Sequence, residues 1–190
     1  INYDDFIIKN NNKKFKKNIL FIGNFIDQGH LKYIKKLSNK LNNKFYFHII
    51  GTCSKEFLNI HKNHKNFRIY GYIKDLNKVK KIIKKCSFGT AFYNIDNKER
   101  KLIPSGKINF YLQNSIPILA SSYAFESKQI NNYKIGISSN DINLVANFIK
   151  KNSSNKKYNL ILKNLIKFNK LRKYDENLLK FLQDIKALYC

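Results

Sequence analysis

The chain has 190 residues, a length typical of one domain, and its apolar fraction of 43% supports a globular fold with a buried core. Its formal net charge is +25 at pH 7, from 37 Lys and Arg residues against 12 Asp and Glu residues. No apolar run approaches the length of a membrane span, and residues 1–18 lack the long hydrophobic core of a secretion signal, so the sequence predicts neither feature.

Cysteine usage predicts a reducing compartment. Cys53, Cys86 and Cys190 are odd in number, widely spaced and without a paired CxxC pattern. We therefore expect a cytoplasmic protein. The chain contains no methionine, even at position 1, which indicates a fragment or an excised domain.

In chain order, short apolar runs bounded by turn residues alternate with segments of helical periodicity, the pattern of repeated βα units. The apolar runs predict six strands, at 18–23, 45–51, 67–73, 87–93, 116–120 and 134–138. Helical spacing predicts helices through 31–41, 56–60, 76–85, the residues around Ile108 to Leu112, 141–150, and from 158 to the C-terminus. The predicted fold is a doubly wound, Rossmann-like parallel α/β sheet of about six strands, with helices on both faces and a C-terminal helical tail.

This pattern divides the chain into three parts. We expect residues 1–17 to form a linker or edge segment, residues 18–152 the Rossmann-like domain, and residues 153–190 the C-terminal helices.

Ligands of such sheets bind at the carboxyl ends of the strands. The residues predicted at that rim are Gly23 and Asn24 after the first strand, Gly51 and Thr52 after the second, Gly71 and Tyr72 at the third, and Tyr93 after the fourth. Each glycine alone is equally consistent with an ordinary turn. Their placement on one rim predicts a binding site.

The chain has neither GxGxxG after the first strand nor GxxxxGK[ST], which disfavours a dinucleotide redox cofactor and a P-loop NTPase.

The segment LIPSGKINFYLQNSIPILASS, residues 102–122, joins a Ser-Gly-Lys turn to a helix and then to an apolar strand. Backbone N–H groups at the helix start, close approach at Gly106 and the charge of Lys107 suit a diphosphate. An ordinary loop–helix–strand connection explains the segment equally well.

The charge invites a nucleic-acid interpretation. However, nearly all of it is Lys, with only Arg68, Arg100 and Arg172 as arginines, and abundant Lys, Asn and Ile together indicate compositional bias. Specific nucleic-acid binding usually depends on Arg, and no zinc-finger, RNP-like or basic-zipper pattern is present, so nucleic acid is disfavoured as a partner. Contact with an anionic membrane surface remains open.

Other polar residues have two interpretations each. His61 and His64 form a possible metal pair without a third ligand nearby in sequence, so solvated loop histidines are favoured. His30 is either a phosphate contact or a surface residue, and His48 is predicted to lie in the core. The loop containing Asp96, Glu99 and Arg100 either faces a sugar or is simply solvated.

The series FIGNF, IIGT, NFRIYGYI, IIKKCSFGTAFY, PSGKINFYLQNSIPILAS and KIGISSND resembles the C-terminal, donor-binding domain of GT-B glycosyltransferases, of the family 4-like, bacterial polysaccharide type. The likeness covers residues 17–185 and is most specific from Pro104 to Ala120, which is similar to the family's P-x-K-x-x-E-Y-L-x-x-G-x-P-V-I segment.

The resemblance implies roles for particular residues. Gly23 and Asn24 would lie beside the donor diphosphate, and Gly71 and Tyr72 would meet the nucleobase. Tyr111 would pack under the site, and the turn Ser105, Gly106 and Lys107 would hold phosphate or sugar. Tyr93 joins the predicted donor-binding residues because it follows the fourth strand at the same rim.

The sequence also departs from the family pattern. Asn109 and Phe110 stand where many members have a ribose-binding Glu, Ser115 replaces a Gly, and Gly106 is inserted before the Lys. Asn109 would contact the ribose through its neutral amide, which discriminates less than a carboxylate.

The function implied is transfer of a sugar from a nucleotide sugar to a glycan or lipid-linked acceptor, without any required metal or cofactor. The acceptor site would belong to a missing N-terminal domain, toward which the C-terminal helices would pack, so this chain identifies no catalytic residue. Three alternatives remain: a non-enzymatic α/β binding module, a basic nucleic-acid or acidic-polymer binder, and a sugar-nucleotide epimerase of the same architecture.

Overall fold

The structure is a computed structural model that describes residues 13–25, 28–60, 64–93 and 102–172. The proposed metal-pair residue His61 and the loop residues Asp96, Glu99 and Arg100 lie outside the described residues.

A single parallel sheet organises the described chain. Its strands are β1 (Asn18–Ile22), β2 (Tyr46–Ile50), β3 (Phe67–Gly71), β4 (Phe88–Ala91), β5 (Ile118–Ala120) and β6 (Gly136–Ser138). The spatial order is β3-β2-β1-β4-β5-β6, and every neighbouring pair is parallel. This doubly wound order confirms the predicted fold class.

Seven helices connect or follow the described strands. They are α1 (Gln28–Lys40), α2 (Lys55–Ile60), α3 (Leu76–Ile83), α4 (Gly106–Gln113), α5 (Ser127–Asn132), α6 (Ile142–Lys151) and α7 (Asn155–Leu171). Ser154 caps α7, so this helix begins three residues before the predicted start at Tyr158. The sequence did not predict α5, because its six residues bury only Ile130 and show no periodic apolar stripe.

The sheet separates two apolar cores. On one face, β1, β2 and β4 pack Phe21, Phe47 and Phe88 against α1 and α6; on the other, β1 and β5 pack Leu20 and Ile118 against α3 and α4. α7 belongs to both cores, because Tyr158 and Leu162 join the first and Leu165 and Phe168 join the second. Full burial of each such side chain contributes about 1.5–3 kcal/mol to folding.

Two close approaches shape the carboxyl rim of the sheet. Gly51 has a φ of +135°, and a Cβ atom there would lie 1.8 Å from the carbonyl oxygen of Gly23. The ends of β1 and β2 therefore meet only because residue 51 has no side chain. Across β4, the ring of Tyr111 covers Gly89, and its hydroxyl donates to the Thr90 carbonyl at 2.9 Å. This contact holds α4 against β4.

Candidate functional site

A crevice opens where the direction of strand order reverses, between β1 and β4. The helix after β1 packs on one face of the sheet and the helix after β4 on the other, so their amino-terminal ends diverge at the carboxyl rim. This is the usual ligand position in an open α/β sheet. The crevice is lined by Phe21, Ile22, Phe25, His30, Tyr33, Thr90, Phe92 and Lys107.

Lys107 crosses this crevice. A Cβ atom at Gly23 would lie 2.7 Å from Lys107 Cε and 2.8 Å from its Nζ, so the amino group rests against the backbone at the end of β1. The same Nζ lies 5.6 Å from the centroid of the Tyr93 ring, within cation–π range. The structure therefore brings together three of the predicted site residues, one from each of three chain segments.

The start of α4 is held by several polar contacts. Ser105 is buried, and its side-chain oxygen accepts the Ile108 N–H at 3.3 Å as the helix N-cap. The Tyr93 hydroxyl is hydrogen-bonded to the same Ser105 oxygen. The first intrahelical bond runs from the Asn109 N–H to the Ser105 carbonyl, so Gly106 and Lys107 present the N–H groups that precede it. These groups and the helix dipole favour an anion.

Glu126 is a buried acid that sequence reasoning missed. It lies at the start of α5, is only 4% exposed, and its Oε1 accepts the Ser105 N–H at 2.8 Å. Its Oε2 is buried without a hydrogen-bond partner among the described residues. Glu126 thus ties α5 to the turn that begins α4. No local signal marked it, because the helix that carries it was itself not predicted.

Tyr33 and His30 also line the crevice, although the sequence singled out only His30, as a possible phosphate contact. The Tyr33 hydroxyl is buried and has no hydrogen-bond partner among the described residues. Burial raises its pKa well above the ordinary value, so the hydroxyl keeps its proton. Helical phase places Tyr33 beside the apolar stripe Leu31, Ile34 and Leu37, and this neighbourhood was the available signal.

Other predicted residues lie farther along the rim. Gly71 ends β3, which is separated from β4 by β2 and β1. It has a φ of +69°, and its carbonyl accepts the Gly51 N–H. Tyr72 follows it and is 73% exposed. Asn24 is exposed beside Gly23. The side-chain Oδ1 of Asn109 accepts from Arg172 Nη2 at 2.9 Å, which engages that side chain with the end of α7.

Two possible features do not occur in the described ranges. No group of three His, Cys, Asp or Glu residues comes together there in a way that could hold a metal ion. None of the helices in those ranges is long and apolar enough to cross a membrane.

Solved structures show which fold this is. WaaG, a glycosyltransferase involved in lipopolysaccharide biosynthesis, matches with a TM-score of 0.61 and 11% sequence identity, over 90% of this chain and 48% of WaaG. A trehalose-6-phosphate structure from E. coli, bound with UDP-2-fluoro glucose, matches with a TM-score of 0.62 and 13% identity, over 92% of this chain and 44% of that one. AviGT4, a glycosyltransferase involved in avilamycin A biosynthesis, matches with a TM-score of 0.53 and 9% sequence identity, over 88% of this chain and 53% of AviGT4.

The chain therefore has the fold of a GT-B glycosyltransferase domain, as the sequence resemblance implies. It spans about half the length of the structures that it matches. No family model and no curated protein matches the sequence.

Proposed function

We propose that this chain is the donor-binding half of a glycosyltransferase, which transfers a sugar from a nucleotide sugar to a glycan or lipid-linked acceptor. The observation that carries the proposal is the position of Lys107, whose amino group lies against Gly23 at the switch point of a GT-B fold. A cation and a helix start that converge on a glycine-lined rim suit the diphosphate of such a donor.

The charge has a chemical role in this proposal. As the bond between sugar and diphosphate breaks, negative charge accumulates on the departing nucleoside diphosphate. Lys107 and the N–H groups at the start of α4 stabilise that charge, and they need no reorganisation because Ser105 and Tyr93 already hold the helix start in place. Positive charge that is already in position accelerates departure of the leaving group.

The remaining rim residues complete the donor site. Gly71 and Tyr72 would contact the nucleobase through the backbone and the exposed ring. Asn109 would donate its amide NH₂ to a ribose hydroxyl, since Arg172 already occupies its oxygen. Support for a nucleoside diphosphate donor also comes from the E. coli structure, which holds UDP-2-fluoro glucose.

The acceptor and the catalytic base would belong to a partner domain. The chain covers about half of its structural neighbours, and in this proposal an N-terminal domain closes over the crevice and supplies the missing half of the active site. The chain alone would then bind a donor without turning it over. We place the enzyme in the cytoplasm, where its net charge of +25 would draw it to an anionic membrane surface.

Calorimetric titration of the chain with UDP, GDP, CDP and a short mixed-sequence oligonucleotide, each at low and moderate salt, tests the proposal. We expect selective binding of one nucleoside diphosphate that persists at moderate salt, because the contacts are local and partly buried. That result would also identify the base of the donor.

Two results would contradict a donor-binding function. Binding of the oligonucleotide alone, lost as salt rises, would mean that the general charge of the surface, rather than the crevice, selects the partner. Absence of binding by a folded chain would favour a non-enzymatic α/β module.

A further inference from the structure

The hydroxyl of Tyr33 is an unused hydrogen-bond donor inside the crevice. Tyr33 lies on α1, and its ring packs against Phe92 with the two centroids 3.8 Å apart. Both rings line the crevice together with His30, and so does Lys107, whose helix packs on the other face of the sheet from α1. The Tyr33 oxygen is buried, and no group among the described residues bonds to it.

A buried tyrosine hydroxyl ordinarily has a partner, because loss of its hydrogen bonds to water destabilises the fold. Two fully buried tyrosines among the described residues follow this rule: the hydroxyl of Tyr111 donates to the Thr90 carbonyl, and that of Tyr158 donates to the Ser87 carbonyl at 3.0 Å. The Tyr33 side chain is half-buried, but its hydroxyl oxygen is as inaccessible as theirs. Tyr33 is the exception among these three. Its hydroxyl is therefore better explained by a ligand than by the fold.

We propose that Tyr33 is a donor-site residue whose hydroxyl donates a hydrogen bond to an oxygen of the distal phosphate of a bound nucleoside diphosphate. This inference rests on the proposed function, and it adds a residue and a contact to it.

The phosphate is selected by the charge of the crevice. Lys107 lines the same space, and its amino group attracts an anion there. The remaining walls are mostly aromatic and aliphatic, namely Phe21, Ile22, Phe25 and Phe92, and they offer few competing polar partners. An anionic oxygen drawn in by Lys107 would thus find Tyr33 as a neutral donor.

The Tyr33 side chain is suited to such a contact. Packing against Phe92 restricts the ring. Because the hydroxyl oxygen is buried, a phosphate oxygen would reach it once a side chain that lines the crevice moves aside. The raised pKa caused by burial keeps the hydroxyl protonated and able to donate.

The test compares Tyr33→Phe with the unaltered chain by calorimetry, with UDP, GDP, CDP and the matching monophosphates as probes. We expect the affinity of Tyr33→Phe for the preferred diphosphate to fall roughly tenfold to a hundredfold, as for loss of a bond to a charged acceptor. Affinity for the monophosphate should be unchanged, since it lacks the distal phosphate. Tyr133→Phe, on an exposed side chain outside the crevice, is the control for binding.

Thermal unfolding of the same variants separates a binding role from a structural one. Tyr33→Phe should keep or raise Tm, because it removes a buried hydroxyl that has no hydrogen-bond partner among the described residues. Tyr158→Phe should lower Tm, because it removes the hydrogen bond from the Tyr158 hydroxyl to the Ser87 carbonyl. A Tm loss in Tyr33→Phe equal to that of Tyr158→Phe would overturn the inference.

The binding data distinguish the two levels of the proposal. Normal diphosphate binding by Tyr33→Phe, or an equal loss for mono- and diphosphate, would overturn the role of Tyr33 and leave the proposed function standing. If the unaltered chain binds none of the three diphosphates, the proposed function fails and the inference fails with it.

Discussion

At the scale of single residues, Lys107 shows how one side chain can connect distant segments of the chain. It begins on α4, yet its amino group rests against Gly23 at the end of β1, with Tyr93 on a third segment beside it. Any side chain at residue 23 would collide with it. The Lys107 amino group can therefore occupy this position because Gly23 has no side chain.

Replacing Lys107 by Ala should weaken nucleoside diphosphate binding by about 1–3 kcal/mol, the usual value of a charge-assisted contact. Stability should change little, because the side chain is only half-buried. Calorimetric titration and thermal unfolding measure the two effects. Lys128→Ala, on the exposed surface of α5, is a control of equal charge change and should bind normally. Equal affinities for the two variants would remove Lys107 from the site.

His48 is a second residue whose environment has a measurable consequence. It lies within β2 and is 1% exposed; its Nδ1 is 2.9 Å from the Tyr70 hydroxyl, and its Nε2 has no partner among the described residues. Burial, together with the charges of Arg68 and Lys85, lowers the pKa of His48 from 6.5 to about 4. This agrees with the core position predicted from the sequence.

The folded chain should therefore lose stability as pH falls from about 6.5 to about 4. In that range the unfolded chain binds a proton at His48 and the folded chain does not, which favours unfolding by up to about 3 kcal/mol. Above pH 6.5 the imidazole is neutral in both states and contributes no pH dependence. Denaturant unfolding at several pH values should show a flatter slope for His48→Gln than for the unaltered chain. His64→Gln is the control for the loss of an imidazole. If the free energy of unfolding of His48→Gln depended on pH as steeply as that of His64→Gln, the expectation would be contradicted.

At the scale of elements, the turn that begins α4 depends on contacts from two other segments. The Ser105 side chain caps the helix and bonds to Tyr93, while its backbone N–H donates to Glu126. Tyr111 holds the middle of the same helix against β4. The helix start is therefore fixed relative to both β4 and α5.

Ser105→Ala should reduce both stability and binding. Loss of the N-cap contributes about 1 kcal/mol of destabilisation, and the helix start should become less ordered once Tyr93 is released. Asp141→Ala is the matched control, because Asp141 caps α6 through the Asn143 N–H, away from the crevice. Both variants should unfold at lower denaturant concentration, and only Ser105→Ala should bind nucleoside diphosphate more weakly. Equal binding by the two variants would show that the cap serves folding alone.

At the scale of the whole molecule, the net charge of +25 is spread over many lysines rather than gathered at the crevice. Exposed lysines occur on every described helix except α4, whose single lysine, Lys107, is half-buried. Such a surface attracts anionic partners at long range without selecting among them, whereas the crevice, in the proposed function, would select by geometry. The two effects differ in their response to salt.

Association with lipid vesicles tests the long-range effect. The chain should co-sediment with vesicles containing phosphatidylserine at low salt and be released at high salt, because each well-placed Lys contributes about 1 kcal/mol that screening removes. Vesicles of phosphatidylcholine alone are the control and should not retain it. Retention by both kinds of vesicle, or by neither, would argue against an electrostatic membrane contact.

The local sequence was sufficient to predict all six strands, most helices and the parallel α/β fold. Strands and helices can be predicted from a few residues, because burial of one face imposes on the apolar side chains a period of two residues in a strand and 3.6 in a helix. The GT-B resemblance likewise depended on short segments such as 104–120. α5 was not predicted, because its single buried side chain, Ile130, cannot produce a periodic pattern of apolar residues.

The composition of the crevice was decided only by the tertiary structure. Gly23, Tyr33, Tyr93 and Lys107 are far apart in the chain, and they lie close together because the strand order brings β1 beside β4 and packs α1 and α4 on opposite faces. No local pattern reveals that the amino group of Lys107 on α4 lies against Gly23 at the end of β1. Nor does it reveal that the Tyr33 hydroxyl has no hydrogen-bond partner among the described residues. Such facts depend on distances across the fold, and the chain sets these only when both cores are packed.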